Sequence, residues 1–165
     1  MSRWHGWVVT LAGVVVAAPV WAAEDLGNGR RVQGTVSVEA VAVEDGEDHV
    51  VGVVEFSGLT FFANGEIVPH RNVSTFDLID GEGSHSGYVV HRFADGSTSV
   101  ERYAGGVRID GASGRSIVEG VFECTGGTGR FAGIEGGGTY RGERLGGLEA
   151  GQYVYIDFAG SCPVP

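Results

Sequence analysis

Apolar and polar residues alternate with a period of two over most of the chain beyond residue 24. Such alternation is typical of a β-strand with one buried face. No stretch in this part of the sequence has the 3.6-residue period of an amphipathic helix, and glycines interrupt every long window. The clearest case is residues 32–42, whose apolar positions are Val32, Val36, Val38, Ala40 and Ala42.

Further short strands are predicted along the rest of the chain, joined by turns such as Asn64-Gly65 and Asp95-Gly96. Residues 49–62 are apolar on both faces, which predicts a strand covered on both sides, its outer face by another subunit. We predict an all-β chain with one antiparallel β-barrel of about eight strands, because closure removes exposed strand edges. The other predicted strands are residues 73–79, 84–93, 98–103, 107–109, 116–124, 139–145 and 152–159.

The first 23 residues have a different pattern. Arg3 precedes an apolar run from Trp7 to Val20, and small residues follow at Ala22-Ala23. These are the three parts of a secretory signal peptide, and the run is shorter than the ~20 residues of a membrane anchor. We predict a signal peptide at residues 1–23, cleaved after Ala22 or Ala23, and a barrel domain at residues 24–165. The mature protein is then periplasmic or secreted and has no membrane segment.

The two cysteines, Cys124 and Cys162, fit that location. In an oxidising compartment such a pair is most simply one disulfide, which would stabilise the fold by about 3–4 kcal/mol. The alternative is a reactive thiol at Cys124. The net charge of −10 argues against binding to nucleic acid. All basic residues are arginines, which excludes chemistry that needs a lysine amine.

The most distinctive segment is residues 124–136, which read CTGGTGRFAGIEG. Its glycines miss the dinucleotide-binding fingerprint by one residue, and no helix follows to bind a phosphate. We therefore predict a tight connection in which glycines adopt positive φ and the side chains of Phe131 and Ile134 turn into the core.

A strand, this glycine-rich segment and a further strand together resemble the signature of the allene oxide cyclase and dirigent-like β-barrel superfamily. The terminal strand at residues 152–158, QYVYIDF, is similar to the aromatic last strand of the cyclases. The resemblance implies an eight-stranded, often trimeric barrel around an apolar cavity, without a metal or organic cofactor. It also implies cyclisation or coupling of a reactive lipophilic molecule. Glu39 is the nearest equivalent of the carboxylate that the cyclases carry on the first strand, although it falls on the polar face.

The candidate catalytic residues are Glu55 and Arg102. Glu55 shares a strand face with Val51, Val53 and Leu59, so its carboxylate is either paired or has a raised pKa suited to a general acid or base. The alternative for Glu55 is an outward position in a subunit contact or in a salt bridge with an arginine. An inward-facing Arg102 would bind an anionic substrate or pair with Glu55, and its alternative is exposure to solvent. The candidate substrate-binding residues are Tyr88, Arg92, Tyr153 and Tyr155. Tyr153 and Tyr155 share one face of the last strand. They either line a cavity or form an aromatic band on the outer surface of an oligomer.

His70, His85 and His91 lack the spacing of a metal site, and no metal or cofactor is expected. We expect an exported, cofactor-free barrel enzyme that promotes cyclisation, isomerisation or elimination of a small lipophilic or phenolic molecule, as a possible homotrimer or homodimer. The alternatives are a non-catalytic carrier of such a molecule and a structural or interaction protein. A cavity in the barrel would distinguish the enzyme and the carrier from the structural or interaction protein. A buried titratable group would distinguish the enzyme from the carrier.

Overall fold

The chain folds into one closed antiparallel β-barrel, in which each strand pairs with its sequence neighbours and the last strand pairs with the first. The computed structural model describes residues 24–46 and 48–165, so the predicted signal peptide lies outside the described residues. The all-β fold and the eight-stranded barrel are confirmed. The strands are β1 (Gly29–Ala42), β2 (His49–Phe62), β3 (Ile67–Ile79), β4 (Glu82–Arg92), β5 (Thr98–Ile109), β6 (Ser116–Thr128), β7 (Gly136–Arg144) and β8 (Tyr153–Ser161).

Two strands carry irregularities that matter for the interior. The register of β1 against β2 shifts between Thr35 and Ser37, and the register of β5 against β6 shifts between Val100 and Glu101. An extra residue in one strand bends it and changes which side chains face inward. Beyond the shift in β1, Val38 packs against the core and Glu39 lies exposed on the outer face.

Strand β3 is longer than the sequence predicts. Strand formation was expected only from residue 73, because Pro69 lacks the N–H group of a strand residue. In the structure Pro69 lies opposite Leu59 on β2, but beyond the part of β3 that pairs with β4, which starts at His70. The missing N–H of Pro69 therefore breaks no hydrogen bond between β3 and β4, and β3 begins at Ile67. Similarly, residues 98–109 form one strand rather than two.

One end of the barrel is closed by a packed apolar core. The glycine-rich segment contributes Phe131 and Ile134, which are 0% and 1% exposed, so the prediction that these side chains turn inward is confirmed. Gly129 and Gly133 have φ values of 60° and 81°, the positive φ that this connection was predicted to need. A single turn of 3-10 helix, Gly129–Phe131, lies between them.

The predicted disulfide between Cys124 and Cys162 is confirmed, with a Cα–Cα distance of 6.2 Å. It joins β6 to the C-terminal tail within the packed end, where both cysteines are buried. At the same end, Arg130 lies within 2.8 Å of Glu24, 2.6 Å of Glu66 and 3.3 Å of Asp95. The arginine thus links the N-terminal segment to two of the connections between strands.

The outer face of β2 carries exposed apolar side chains. Val53, Leu59 and Phe61 are between 40% and 44% exposed, so none of the residues 24–46 and 48–165 fully covers them. The second apolar face is part of the surface of the single chain, and coverage by another subunit stays a prediction.

Replacing both cysteines, as C124A/C162A, is expected to lower the free energy of unfolding by about 3–4 kcal/mol, because the long loop between residues 124 and 162 is no longer closed in the unfolded chain. The measurement is urea unfolding of the two proteins without reductant. Wild type in reductant, once its thiols are shown to be free, should behave like the variant. An unchanged midpoint would contradict a stabilising role for the disulfide.

Candidate functional site in the barrel interior

A cavity lies at the end of the barrel opposite the disulfide. It has a volume of about 60 Å³. Leu148, on the connection between β7 and β8, lies against its apolar wall. The other apolar side chains of the wall come from five strands and are Val54, Phe56, Phe76, Leu78, Val107, Val118, Val154 and Ile156.

The volume limits what can be enclosed. Small-molecule sites usually measure roughly 300–1,000 Å³, so this cavity encloses only a small ring or a short chain. A larger ligand must extend beyond the enclosed volume. The cavity is nevertheless a mixed site, because polar side chains line its inner part and its rim. They are Arg31, Gln33, Asn72, Ser74, His85, Tyr103, Tyr140 and Arg144.

Glycines make room for the two tyrosines. A Cβ atom added at Gly105 or Gly120 would lie 2.5 or 2.6 Å from the hydroxyl oxygen of Tyr140. A Cβ atom at Gly87 would lie 2.7 Å from the hydroxyl oxygen of Tyr103. These distances are far inside van der Waals contact, so the phenol groups occupy space that any other residue would fill.

An ion pair between Arg31 on β1 and Glu101 on β5 crosses the interior behind the cavity. The two strands are four apart in a closed ring of eight and therefore face each other. The side chains of Arg31 and Glu101 are only 5% and 2% exposed. Burial raises the pKa of Glu101, and the charge of Arg31 opposes that rise. The guanidinium of Arg31 also lies over the ring of Phe158, 4.4 Å from its centre.

A chain of buried hydrogen bonds runs beside this ion pair. His91 Nε2 lies 3.0 Å from the hydroxyl of Thr60, which lies 2.9 Å from His70 Nδ1. His70 Nε2 lies 3.0 Å from Gln33 Oε1. Asn72 Nδ2 donates to the same oxygen at 3.1 Å, and the chain thereby reaches the lining of the cavity.

The chemistry of each group fixes the direction of these hydrogen bonds. Burial lowers the pKa of His70 to about 3 and the pKa of His91 well below its usual value, so each ring is neutral and carries one N–H. Gln33 Oε1 only accepts, so the N–H of His70 is on Nε2, and Nδ1 accepts from the Thr60 hydroxyl. The Thr60 oxygen then accepts from His91 Nε2–H, which leaves His91 Nδ1 to accept from Ser99, 3.1 Å away.

Two tyrosines connect this interior to the cavity. The Tyr103 hydroxyl donates to Asn72 Oδ1 at 2.7 Å and is fully engaged. The Tyr140 hydroxyl lies 2.6 Å from His85 Nε2. Burial lowers the pKa of His85 to about 4, and raises the pKa of Tyr140 above its usual value. Both groups are therefore neutral at pH 7.

The His85–Tyr140 pair has a donor to spare. His85 Nδ1 is buried and has no partner among the described residues. If Tyr140 donates to His85, the unpaired group is the Nδ1–H of the imidazole. If His85 donates to Tyr140, the phenol O–H is free instead. In either tautomer the pair can donate one further hydrogen bond to a ligand oxygen.

The catalytic residues expected from the sequence lie on the outer face of the barrel. Glu55 forms a two-point ion pair with Arg71, at 2.6 and 3.0 Å. The hydrogen bonds from Arg71 lower the pKa of Glu55, so of the two alternatives for this carboxylate the structure has the paired one. Arg102 forms an exposed ion pair with Glu123 at 2.6 Å. Neither side chain lines the interior cavity, so Arg102 does not face inward.

The expected substrate-binding residues also face outward. Tyr88 and Tyr153 are 53% and 57% exposed, and Arg92 is exposed. Tyr155 lies on the same outer face of β8, with Arg30 5.4 Å from its ring centre. The opposite face of β8, with Val154 and Ile156, lines the cavity.

Sequence reasoning missed the interior groups because polarity does not mark the inner face. Along β3 the buried positions include His70, Asn72 and Ser74, whereas the outer positions Ile67 and Ile79 are 60% and 38% exposed. A polar face in a strand normally indicates solvent, and here it indicates the inside. The available signal was that polar residues at every second position recur in the neighbouring strands.

Among residues 24–46 and 48–165, no group of three or more His, Cys, Asp or Glu side chains is arranged to hold a metal ion. In the same part of the chain, no helix has the length and apolar character that crossing a membrane requires. The chain matches no protein-family model and no curated protein. The site is therefore interpreted from its own geometry.

Acid is expected to destabilise the fold through the neutral buried histidines. The unfolded chain binds protons at its histidines near pH 6.5, whereas folded His70 does not until about pH 3. The stability that His70 contributes is present above pH 6.5. It is lost as the pH falls towards 3, by about 1.4 kcal/mol per pH unit. Urea unfolding at pH 7, 6 and 5 measures the slope.

The variant H70Q should show a shallower loss of stability on acidification than wild type. H49Q is the matched control, because the hydrogen bonds that His49 donates to Asp45 and Asp77 raise the pKa of His49 instead. Removing His49 should therefore make the acid loss steeper. Parallel pH profiles for wild type and H70Q would contradict a neutral His70.

Proposed function

We propose that this chain is an exported, cofactor-free barrel protein that binds part of a small lipophilic or phenolic molecule in its interior and promotes its cyclisation, isomerisation or elimination. The observation that carries the proposal is the mixed cavity, with apolar side chains around it and the His85–Tyr140 pair in its lining. The likeness of residues 116–160 to the allene oxide cyclase and dirigent-like barrels supports the same class of reaction. The Cys124–Cys162 disulfide supports export.

The chemistry would be polarisation of a substrate oxygen. A carbonyl, epoxide or phenol oxygen placed against Tyr140 would accept the spare hydrogen bond of the His85–Tyr140 pair. As negative charge develops on that oxygen, a fixed donor in a water-poor site stabilises it more than bulk water does. The apolar wall would hold the reacting chain in one conformation, which lowers the entropic part of the barrier.

A non-catalytic carrier is the second candidate, and two observations favour it. The cavity of about 60 Å³ encloses little more than the end of a ligand. Most of its polar lining is engaged internally: Tyr103 donates to Asn72, and Arg31 is paired with Glu101. A carrier needs only the apolar wall and one or two oriented polar groups.

The decisive variant is Y140F, which removes one hydroxyl and keeps the ring. Under the enzyme proposal, Y140F should lose at least 10²-fold in turnover of whichever lipophilic or phenolic compound the wild type converts, with binding reduced less than tenfold. The assay incubates the protein with a panel of small phenols, enones and unsaturated epoxides, and detects isomeric products by chromatography and mass spectrometry. Binding is followed by calorimetry with p-cresol.

Y153F is the matched control, because Tyr153 is exposed on the outer face, and it should retain full turnover. E55Q should do so as well, since the structure places Glu55 outside the cavity. Loss of turnover in E55Q with full activity in Y140F would indicate that the reaction takes place on the outer face of the barrel and not in the cavity. Binding of p-cresol without conversion of any compound would favour the carrier, and absence of binding would overturn both candidates.

A further inference from the structure

Arg144 is the last residue of β7, and its side chain reaches the rim of the cavity. It lies between Ser116 on β6 and Val154 on β8 in the register of the sheet. Tyr140, four residues earlier on the same strand, has its phenol in the lining of the same cavity. Arg144 therefore stands at the entrance, on the side of the His85–Tyr140 pair.

The charge of Arg144 has no partner. Within the described residues it takes part in no ion pair, and its buried Nε atom has no hydrogen-bond partner. Eight other arginines each reach a carboxylate: Arg30, Arg31, Arg71, Arg102, Arg108, Arg115, Arg130 and Arg141. Among the arginines that the structure describes, Arg92 is the other one without an ion pair, and it is exposed to solvent.

This contrast is unexpected for the composition. The chain has 21 acidic residues against 11 basic ones, so carboxylates are in excess. Glu143, the residue next to Arg144, faces the other way and pairs with Arg115 at 3.2 Å. Burying part of an unpaired guanidinium destabilises a fold, and burial lowers the pKa of Arg144 in the same sense. The fold tolerates this cost at one inward-facing position, at the edge of its cavity.

A second unpaired group lies beside it. Ser116, directly opposite Arg144 in the β6–β7 ladder, has a buried hydroxyl without a hydrogen-bond partner. Nδ1 of His85 and Nε of Arg31 are also unpartnered, so four polar groups in or beside the cavity have an atom without a hydrogen-bond partner among the described residues. The guanidinium and the N–H of an imidazole donate, and a hydroxyl can donate, so the set is complementary to an anionic oxygen group.

We propose that the ligand of this barrel carries a carboxylate, which Arg144 binds at the rim while the apolar part of the ligand enters the cavity. The inference rests on the proposed function and specifies its ligand class. A guanidinium binds a carboxylate through two parallel N–H···O bonds, which fixes both its position and its orientation. Ser116 supplies a further hydrogen bond from β6. Arg31 cannot play this part, because Glu101 already neutralises it.

The test compares acids with alcohols of the same carbon skeleton. Calorimetry with phenylacetate and 2-phenylethanol, and with hexanoate and 1-hexanol, measures the preference for a carboxylate. Wild type is expected to bind each acid at least tenfold more tightly than its alcohol at pH 7. R144M should lose that preference while its affinity for the alcohols stays within twofold of wild type.

R141M is the matched control, because Arg141 lies on the same strand but faces outward and pairs with Glu119 at 3.1 Å. It should keep the full preference for the acids. Because R144M removes an unpaired charge, its melting temperature should equal or exceed that of wild type, whereas an arginine with a structural role would lower it.

The outcomes separate this inference from the proposed function. If alcohols and acids bind equally well to wild type, or if R141M loses the preference as R144M does, the role of Arg144 is overturned and the lipophilic site stands. If the acids bind tightly and R144M leaves them unaffected, the carboxylate is held elsewhere and this inference is overturned. If neither acids nor alcohols bind, both proposals are overturned.

Discussion

The interior of this barrel depends on the ion pair between Arg31 and Glu101. Two charges removed from water are costly, and their mutual attraction offsets that cost only when the geometry is good and nearby polar groups are satisfied. Here the pair joins opposite strands, β1 and β5, so it fixes the two sides of the barrel relative to each other. The histidines beside the ion pair are themselves hydrogen-bonded, so they meet the requirement that nearby polar groups be satisfied.

The ion pair also divides the barrel into two ends with different characters. On one side lies a packed core, closed by Phe131, Ile134 and the Cys124–Cys162 disulfide. On the other side lies a second apolar cluster that surrounds a cavity rather than filling it. The closed end needs no ligand to be complete. The open end retains an unpaired guanidinium, a buried hydroxyl and a spare imidazole nitrogen.

The hydrogen bonds of the polar network depend on one another. Its hydrogen bonds have one consistent direction from Ser99 through His91, Thr60 and His70 to Gln33, so a change at one member leaves its neighbour unsatisfied. Tyr103 is held at the edge of this network, whereas Tyr140 is held only by His85. The structure thus provides one fixed phenol and one with hydrogen-bonding capacity to spare. A ligand would meet the second of these.

By itself the sequence determined the class of fold, the positions of most strands, the disulfide and the inward turn of Phe131 and Ile134. These features depend on local patterns: period-two alternation, turn residues, paired cysteines and glycines that adopt positive φ. The predicted limits of β3 and β5 were wrong. At these places a proline in β3 and neighbouring glycines in β5 weaken the local pattern.

The tertiary structure alone decided which face of each strand is inside, and with it the candidate site. Alternation shows that two faces differ but not which one meets solvent, and in this barrel both faces mix polar and apolar residues. Arg31 and Glu101 are far apart in the sequence, and only closure of the ring brings them together. The same closure leaves Glu55 and Arg102 outside with their own ion-pair partners, and places Arg144 at the rim of the cavity without one.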